Sequence, residues 1–288
     1  MNQLVNFFQL FVLILLIYLT VYFIMSGTAY WIFYIAKKDQ MQPRKIQISY
    51  PAKKIIHHEI KWSVISISIM SFLTAIVITS ILNGHTKMYF TFGEYGWLYF
   101  IASPVFCIFI NDSYFYWTHR FMHLKSVFPW VHKIHHLSKT PTPWSIFSFS
   151  PIETLILYTI FPILVFFIPL HPVSLGIIVF YNVFNNVIGH LGFEIIPLRF
   201  HRHWLLKYGL TITHHDLHHA KVKCNFGLYF NLWDRLMKTN HADNEKKFMQ
   251  IQGRIHATGL AGNRKEEQSS VANMIAKAGN AKSGSLNI

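Results

Sequence analysis

The 288-residue chain is 52% hydrophobic, 17% aromatic and only 13% charged, with a formal net charge of +14. A soluble domain carries about 25% charged residues, so the composition excludes an ordinary soluble globular protein and places the chain in a membrane. Its two cysteines, Cys107 and Cys224, form no C-x-x-C pair, which excludes a disulfide framework and a thiolate zinc site and suits a reducing compartment.

The first apolar stretch, Asn6 to Ala36, is longer than a signal-peptide core and longer than the ~20 residues that cross a bilayer. It is expected to span with tilt. A polar segment, 37–61, carries Lys37, Lys38, Arg44, Lys45, Lys53, Lys54 and Lys61. A second span is expected from Trp62 to Leu82 and a third from Gly96 to about Trp117, joined by a loop whose only basic residue is Lys87. A basic segment follows to about Trp144. Two further apolar runs, Ile152 to Leu170 and Val173 to about Phe193, are separated only by His171 and Pro172, which implies a tight hairpin. Residues 197–239 are mixed and aromatic, and 240–288, rich in Lys, Glu, Asn, Gly and Ser, read as a weakly ordered polar tail. No internal repeat is visible. The expected fold is an all-α integral membrane protein of about four to five apolar helices, with residues 1–95 forming N-terminal transmembrane helices.

Excess Lys and Arg in the loops of a membrane protein mark the cytoplasmic side. The 37–61 loop, the 118–144 segment (Arg120, Lys125, Lys133, Lys139) and the region after Phe193 (Arg199, Arg202, Lys207, Lys221, Lys223) fall on one side if the last two runs form a hairpin. That side is expected to be cytoplasmic, and the positive charge needs no nucleic acid to explain it.

Of the 18 histidines, His57, His58, His85, His171, His241 and His256 lie in loops or the tail without metal-ligand spacing. His201 and His203, in "HRH", read as side chains at the lipid headgroups. The others cluster on the expected cytoplasmic side. "HRFMH" gives His119 and His123, "HKIHH" gives His132, His135 and His136, "NNVIGH" gives His190, and "HHDLHH" gives His214, His215, His218 and His219. Residues at i, i+3 and i+4 share a helix face, so each box presents its imidazoles together. Nine clustered histidines exceed the four ligands of a zinc ion and suit two metals, and the scarcity of Asp and Glu in the spans (Asp112, Glu153, Glu194) argues against carboxylate bridges.

At these residues the sequence resembles the sterol desaturase / fatty acid hydroxylase superfamily of integral-membrane, histidine-box di-iron oxidases. "NDSYFYWTHRFMH", "HKIHH" and "HHDLHHAKVKCNFGLYFNLWDRLMKT" are similar to its three boxes and the signature that follows, over about Ser103 to Thr239. Met237-Lys238-Thr239 stands where a Gly-Thr is common. The resemblance implies a catalytic region over 96–239 that caps the spans as a cytoplasmic, helical, histidine-rich di-iron domain. It also implies two iron ions, O2 as co-substrate, and hydroxylation or desaturation of an unactivated C–H bond in a membrane lipid such as a sterol or fatty acyl chain. The sequence carries no His-Pro-Gly-Gly haem motif, so a separate electron donor of the cytochrome b5 or ferredoxin/reductase kind is expected. The site would lie on the inner membrane of a bacterium, or the endoplasmic reticulum of a eukaryote.

Resemblance and spacing together assign His119, His123, His132, His135, His136, His190, His215, His218 and His219 as metal ligands. His214 sits about 100° from His215 on a helix and is expected behind the ligands. Asp112, Asp216 and Asp234 are candidates to orient ligand imidazoles through their other ring N–H. Asn186 shares a helix face with His190 and is expected to face the metals and bind one through a water. The competing readings are a histidine-rich metal transporter or metal-binding membrane protein, and a zinc hydrolase. The first expects paired polar residues near the middle of the spans, and the second a general-base Glu in H-E-x-x-H.

Overall fold

The computed structural model describes residues 2–259. Four helices are long and apolar enough to cross a membrane: Asn6–Ala36, Lys53–Leu82, Trp97–Met122 and Pro172–Gly189. Their outward faces are hydrocarbon, with Ile24, Ile101 and Phe180 all more than 60% exposed, as lipid contact requires.

The first span is α1 (Asn2–Tyr30) continued by a π-helical turn, Trp31–Ala36. Within that turn Tyr34 is buried, and its hydroxyl donates to the Leu191 carbonyl at 3.0 Å. The polar segment contains α2 (Lys38–Met41), after which α3 (Lys53–Leu82) begins well upstream of Trp62. The early start follows from amphipathicity, since Lys53, Lys54, His57 and Lys61 share one exposed face. The opposite face of α3 is small: Ser63, Ser66, Ser71 and Ala75 are buried, letting α1 pack along it at close range, as in membrane helix pairs generally. Tyr18 bonds Thr74 across this contact at 3.1 Å.

The third span, α4 (Trp97–Met122), runs past Trp117 because its buried stripe, Cys107, Asn111, Asp112, Tyr116, continues to His119 and Met122. Two short helices, α5 (Phe128–Val131) and α6 (Lys133–His136), fold the second histidine box beneath it. The fourth apolar run is not one helix but two, α7 (Pro151–Tyr158) and α8 (Ile160–Phe167). Pro162 has no N–H to give to the Tyr158 carbonyl, so the ladder breaks there. The hairpin then turns into α9 (Pro172–Gly189). Its tip reaches the α3–α4 loop: Lys87 and Tyr89 donate backbone N–H to Val165 and Leu170 at 3.0 and 3.1 Å, and Tyr99 donates to the Pro169 carbonyl at 2.9 Å. The hairpin therefore extends as far from the histidine boxes as the neighbouring spans do.

Beyond α9 come α10 (Leu198–Arg202), α11 (Ile212–Lys221), which carries the third box, and α12 (Leu232–Leu236). The segment expected to be a weakly ordered tail is partly structured. Residues 244–259 form a helix, α13, because it has an apolar face: Phe248 and Ile251 are buried, and Gln252 and Arg254 donate to the Ile196 and Lys45 carbonyls at 2.9 and 2.6 Å. Residues 260–288 of the expected tail lie outside the described residues. The described residues are thus all-α, a helical bundle with its histidine-rich helical region gathered at one end.

Candidate metal centre

The histidines arrive from four places. His119 and His123 close α4, His132, His135 and His136 lie on and before α6, His190 follows α9, and His215, His218 and His219 line α11. All but His123 are at most 9% exposed. They form two groups, His119, His123, His132, His136 and His218, and His135, His190, His215 and His219, with the offered ligand atoms of each group within 4.8 Å of one another. The groups adjoin, the rings of His136 and His219 being 4.9 Å apart. His214 belongs to neither. It turns to Asn240 at 3.2 Å and Asp234 at 3.4 Å.

In every ring it is Nε2 that points inward. His119 Nε2 lies 3.0 Å from that of His132 and 3.3 Å from that of His123, and His218 and His136 approach to 3.0 Å. In the second group His215 Nε2 is 3.1 Å from those of His190 and His219, and His190 is 3.5 Å from His135. Outward, Nδ1 of His119, His218, His219 and His190 faces the carbonyls of Phe226, Cys224, Ser138 and Asn186 at 2.6–3.0 Å. Nδ1 of His132 faces Glu153 Oε1 at 2.6 Å. A carbonyl only accepts, so these Nδ1 atoms carry the proton and the Nε2 atoms present lone pairs. Burial, aided by the neighbouring imidazoles, pushes His132, His135, His136, His215 and His219 far below the usual histidine range, and burial lowers His190 to about 4. Converging unprotonated lone pairs repel one another unless a cation lies among them. Neutral imidazoles with tethered Nδ1–H groups are the donor set that metal ions require, and the residues fit two ions.

Three carboxylates expected to orient these imidazoles bond elsewhere. Asp112 accepts from the Tyr229 and Phe230 N–H groups, Asp216 from Gln47, and Asp234 from the Phe226 and Gly227 N–H groups and the Thr239 hydroxyl. Among the described residues none accepts from the nine imidazoles. Asp112 and Asp234 hold backbone N–H groups of the 226–230 segment instead, and Asp216 holds a side-chain amide. Asp234 binds Phe226 N–H, and the carbonyl of the same residue receives His119. Burial alone would raise Asp234, but His214, Thr239 and Phe226 outweigh it and hold it at about 2. Glu153, set aside by the sequence reading, is the carboxylate that does meet an imidazole. Its signal was present as Ser150-Pro-Ile-Glu153, a helix-capping pattern in which Ser150 accepts from Glu153 N–H at 3.1 Å, opening an apolar run with one carboxylate.

The signature after the third box acquires a role. Val222, a β-branched residue, ends α11 at φ 69°, and Asn225 sits at φ 60°, conformations that must be held by their surroundings. The Asn225 amide supplies that hold by bonding His214 O, His241 N–H and Asn244. The loop so bent aims the Cys224 and Phe226 carbonyls back at His218 and His119. Gly227 is required because a Cβ there would meet Phe230 O and lie 3.0 Å from Asp234 Oδ2.

Asn186 is beside the centre, but its contact with His190 is through its backbone carbonyl. Its amide nitrogen donates to Asn182 O at 2.9 Å. With Asn111, Asn182, Phe115, Phe149 and Leu228 it lines a cavity that is open at one side. Phe115 packs on the His119 ring at 4.8 Å and Phe149 on that of His135 at 5.1 Å, so one layer of side chains separates cavity from centre.

Comparison with known proteins agrees with this arrangement. A family profile described as fatty acid hydroxylase matches residues 104–239. A Delta(7)-sterol 5(6)-desaturase of Gibberella zeae is 29% identical over 77% of this chain and 65% of its own length. Lathosterol oxidase of Mus musculus is 31% identical over 64% of this chain and 60% of its own. Methylsterol monooxygenase 1 of Rattus norvegicus is 30% identical over 52% and 51%. The matches thus span less than two thirds of these relatives' lengths. No solved structure matches the chain. The profile covers all nine inward-facing histidines and the signature that follows them, so the histidine region, 104–239, is similar to the fatty acid hydroxylase family and to sterol desaturases.

Proposed function

We infer that the protein is a membrane-bound, O2-dependent di-iron oxidase that hydroxylates or desaturates an unactivated C–H position of a membrane lipid, a sterol-like molecule being favoured by the relatives. The observation that carries this reading is the inward convergence of nine Nε2 atoms in two adjoining groups. Such all-imidazole sites suit iron, copper or zinc, and an oxidase needs a redox metal. Iron bound there would supply O2 activation and hydrogen abstraction from the lipid.

The chain's own residues do the rest. His119, His123, His132, His136 and His218 would hold one ion and His135, His190, His215 and His219 the other. Phe226, Cys224, Ser138 and Asn186 carbonyls and Glu153 keep the protons on Nδ1. Phe115 and Phe149 pack on the His119 and His135 rings on the cavity side, and the Asn186 amide oxygen is available to hold a water, through which it would reach a metal. Electrons would come from a separate carrier, and the Lys/Arg-rich loops support a cytoplasmic face for this end of the bundle. A transporter reading loses ground because the histidines sit at one end of the bundle and not midway along it.

Metal analysis of protein purified from its native membranes tests the reading. Close to two irons per chain and O2-dependent conversion of lathosterol or a methylsterol are expected. Stoichiometric zinc with full activity and no iron would refute it.

A further inference from the structure

The cavity beside the centre contains a polar network inside an apolar bundle. Asn111 Nδ2 donates to the Tyr229 hydroxyl at 2.8 Å, and that hydroxyl donates to Asn182 Oδ1 at 2.7 Å. Asn111 is 4% exposed. Each of these amides uses one end only: among the described residues no protein group bonds Asn111 Oδ1 or Asn182 Nδ2. Asn111 is buried and Asn182 half-buried, and an amide end turned to a largely apolar cavity is costly unless something bonds it. The network lacks what a hydroxyl provides, one O–H to give to Asn111 Oδ1 and one lone pair to take from Asn182 Nδ2. No Asp, Glu, Lys, Arg or His lines the cavity. A carboxylate or phosphate would therefore be buried there without a counter-charge, which is prohibitive.

Resting on the lipid-oxidase reading above, we propose that Asn111 and Asn182, braced by Tyr229, bind the hydroxyl of an uncharged lipid alcohol and thereby fix which carbon faces the histidine centre. Asn111 precedes His119 on α4, and Asn182 precedes His190 at the end of α9, by the same eight positions, or about 12 Å along a helix. That setback along the helix axes favours the ring system of a sterol, and not the end of its side chain, as the part that faces the histidine centre. Free fatty acids and phospholipid headgroups are excluded as the anchored group.

The test is binding to the full chain in nanodiscs, with iron content measured in parallel. The probes are tritiated lathosterol, cholest-7-ene (the same hydrocarbon without the hydroxyl) and stearate. The wild type is expected to prefer lathosterol over cholest-7-ene by about tenfold, the value of roughly one well-made hydrogen bond to a buried group. Asn111→Leu should bring the preference below about threefold with iron content unchanged. Tyr229→Phe, which removes only the hydroxyl that braces both amides, should lower it partway and serves if the leucine variant does not fold. Equal binding of lathosterol and cholest-7-ene by the wild type, tighter binding of stearate, binding of none of the three, or an undiminished preference in both variants would overturn the proposal. A chain that shows the preference but holds no iron would leave this subsite standing and remove the di-iron reading.

Discussion

His132 Nδ1 lies 2.6 Å from Glu153 Oε1, and both side chains are buried. The pair links the second histidine box to the first turn of α7, so the hairpin in the membrane fixes the tilt of a ligand ring. Glu153→Gln keeps the shape but presents the ring with a neutral partner, and to an Nδ1–H it offers a weaker acceptor. Metal affinity is expected to fall about 10–100-fold, the usual effect of removing the partner behind a ligating histidine. Titration of bound iron against a competing chelator measures it, and unchanged retention would show that Glu153 merely fills space.

The two groups should be separable. His190→Ala removes one of four imidazoles from the second group and His123→Ala one of five from the first. Each is expected to abolish lipid oxidation, and His190→Ala to lower bound metal from close to two ions toward one, because four ligands leave no spare. Metal analysis of both variants decides this. Two full equivalents in each, with activity, would break the assignment.

Asp234 gives a pH dependence of definite sign. Its folded value of about 2 lies below the ordinary 3.8, so the carboxylate adds stability that is complete above about pH 4 and lost as pH falls through 2. The shift corresponds to roughly 2 kcal/mol. Asp234→Asn should therefore be less stable than the wild type at pH 7 by about that amount, with the gap closing toward pH 2. It should also loosen His119 through the Phe226 carbonyl. Denaturation of both proteins in detergent across pH 2–7 checks it, and equal stability at pH 7 would contradict it.

Helix α13 is predicted to be a working part of the domain. Phe248 is 1% exposed and packs 4.6 Å from the His201 ring. Phe248→Ala should cost about 3–5 kcal/mol, as for other buried Phe truncations, and lower the melting temperature of the whole histidine region. A melting curve indistinguishable from the wild type would count against that.

Topology follows from the Lys/Arg asymmetry. Single cysteines at positions 88 and 130, in a chain otherwise free of reactive thiols, should label from opposite sides of the membrane, with 130 cytoplasmic. Labelling from the same side would overturn the orientation.

How far the sequence discloses this molecule depends on the range of the interaction. Apolar runs and the i, i+3, i+4 histidine boxes are local patterns, and the helices follow them, but the two histidine groups cut across the boxes: His135 parts from His132 and His136, and His218 from His215 and His219. What escaped is non-local or made by the backbone. The carbonyls of Ser138, Cys224 and Phe226 that receive ligand N–H groups leave no mark in residue identity. Asp112 and Asp234 were read as partners of imidazoles because carboxylates often are, yet they act one step removed, through the 226–230 backbone. Pro162 did announce the break between α7 and α8, and Phe248 and Ile251 did announce the face of α13. Both signals were outweighed by the composition around them.

The scatter of the ligands along the chain has a consequence for how the protein is made. His119 and His219 are about 100 residues apart, so at the usual pace of synthesis several seconds to about 20 seconds separate them. Throughout that interval the ribosome presents partial imidazole sites to the cell. Such fragments bind copper and zinc more readily than ferrous iron. On the di-iron reading, correct loading would depend on timing: the cage should be metallated after α11 docks and the Val222–Phe226 bend locks the last rings. Cells starved of iron during synthesis, then resupplied, would reveal whether a mis-loaded chain can still exchange its cargo.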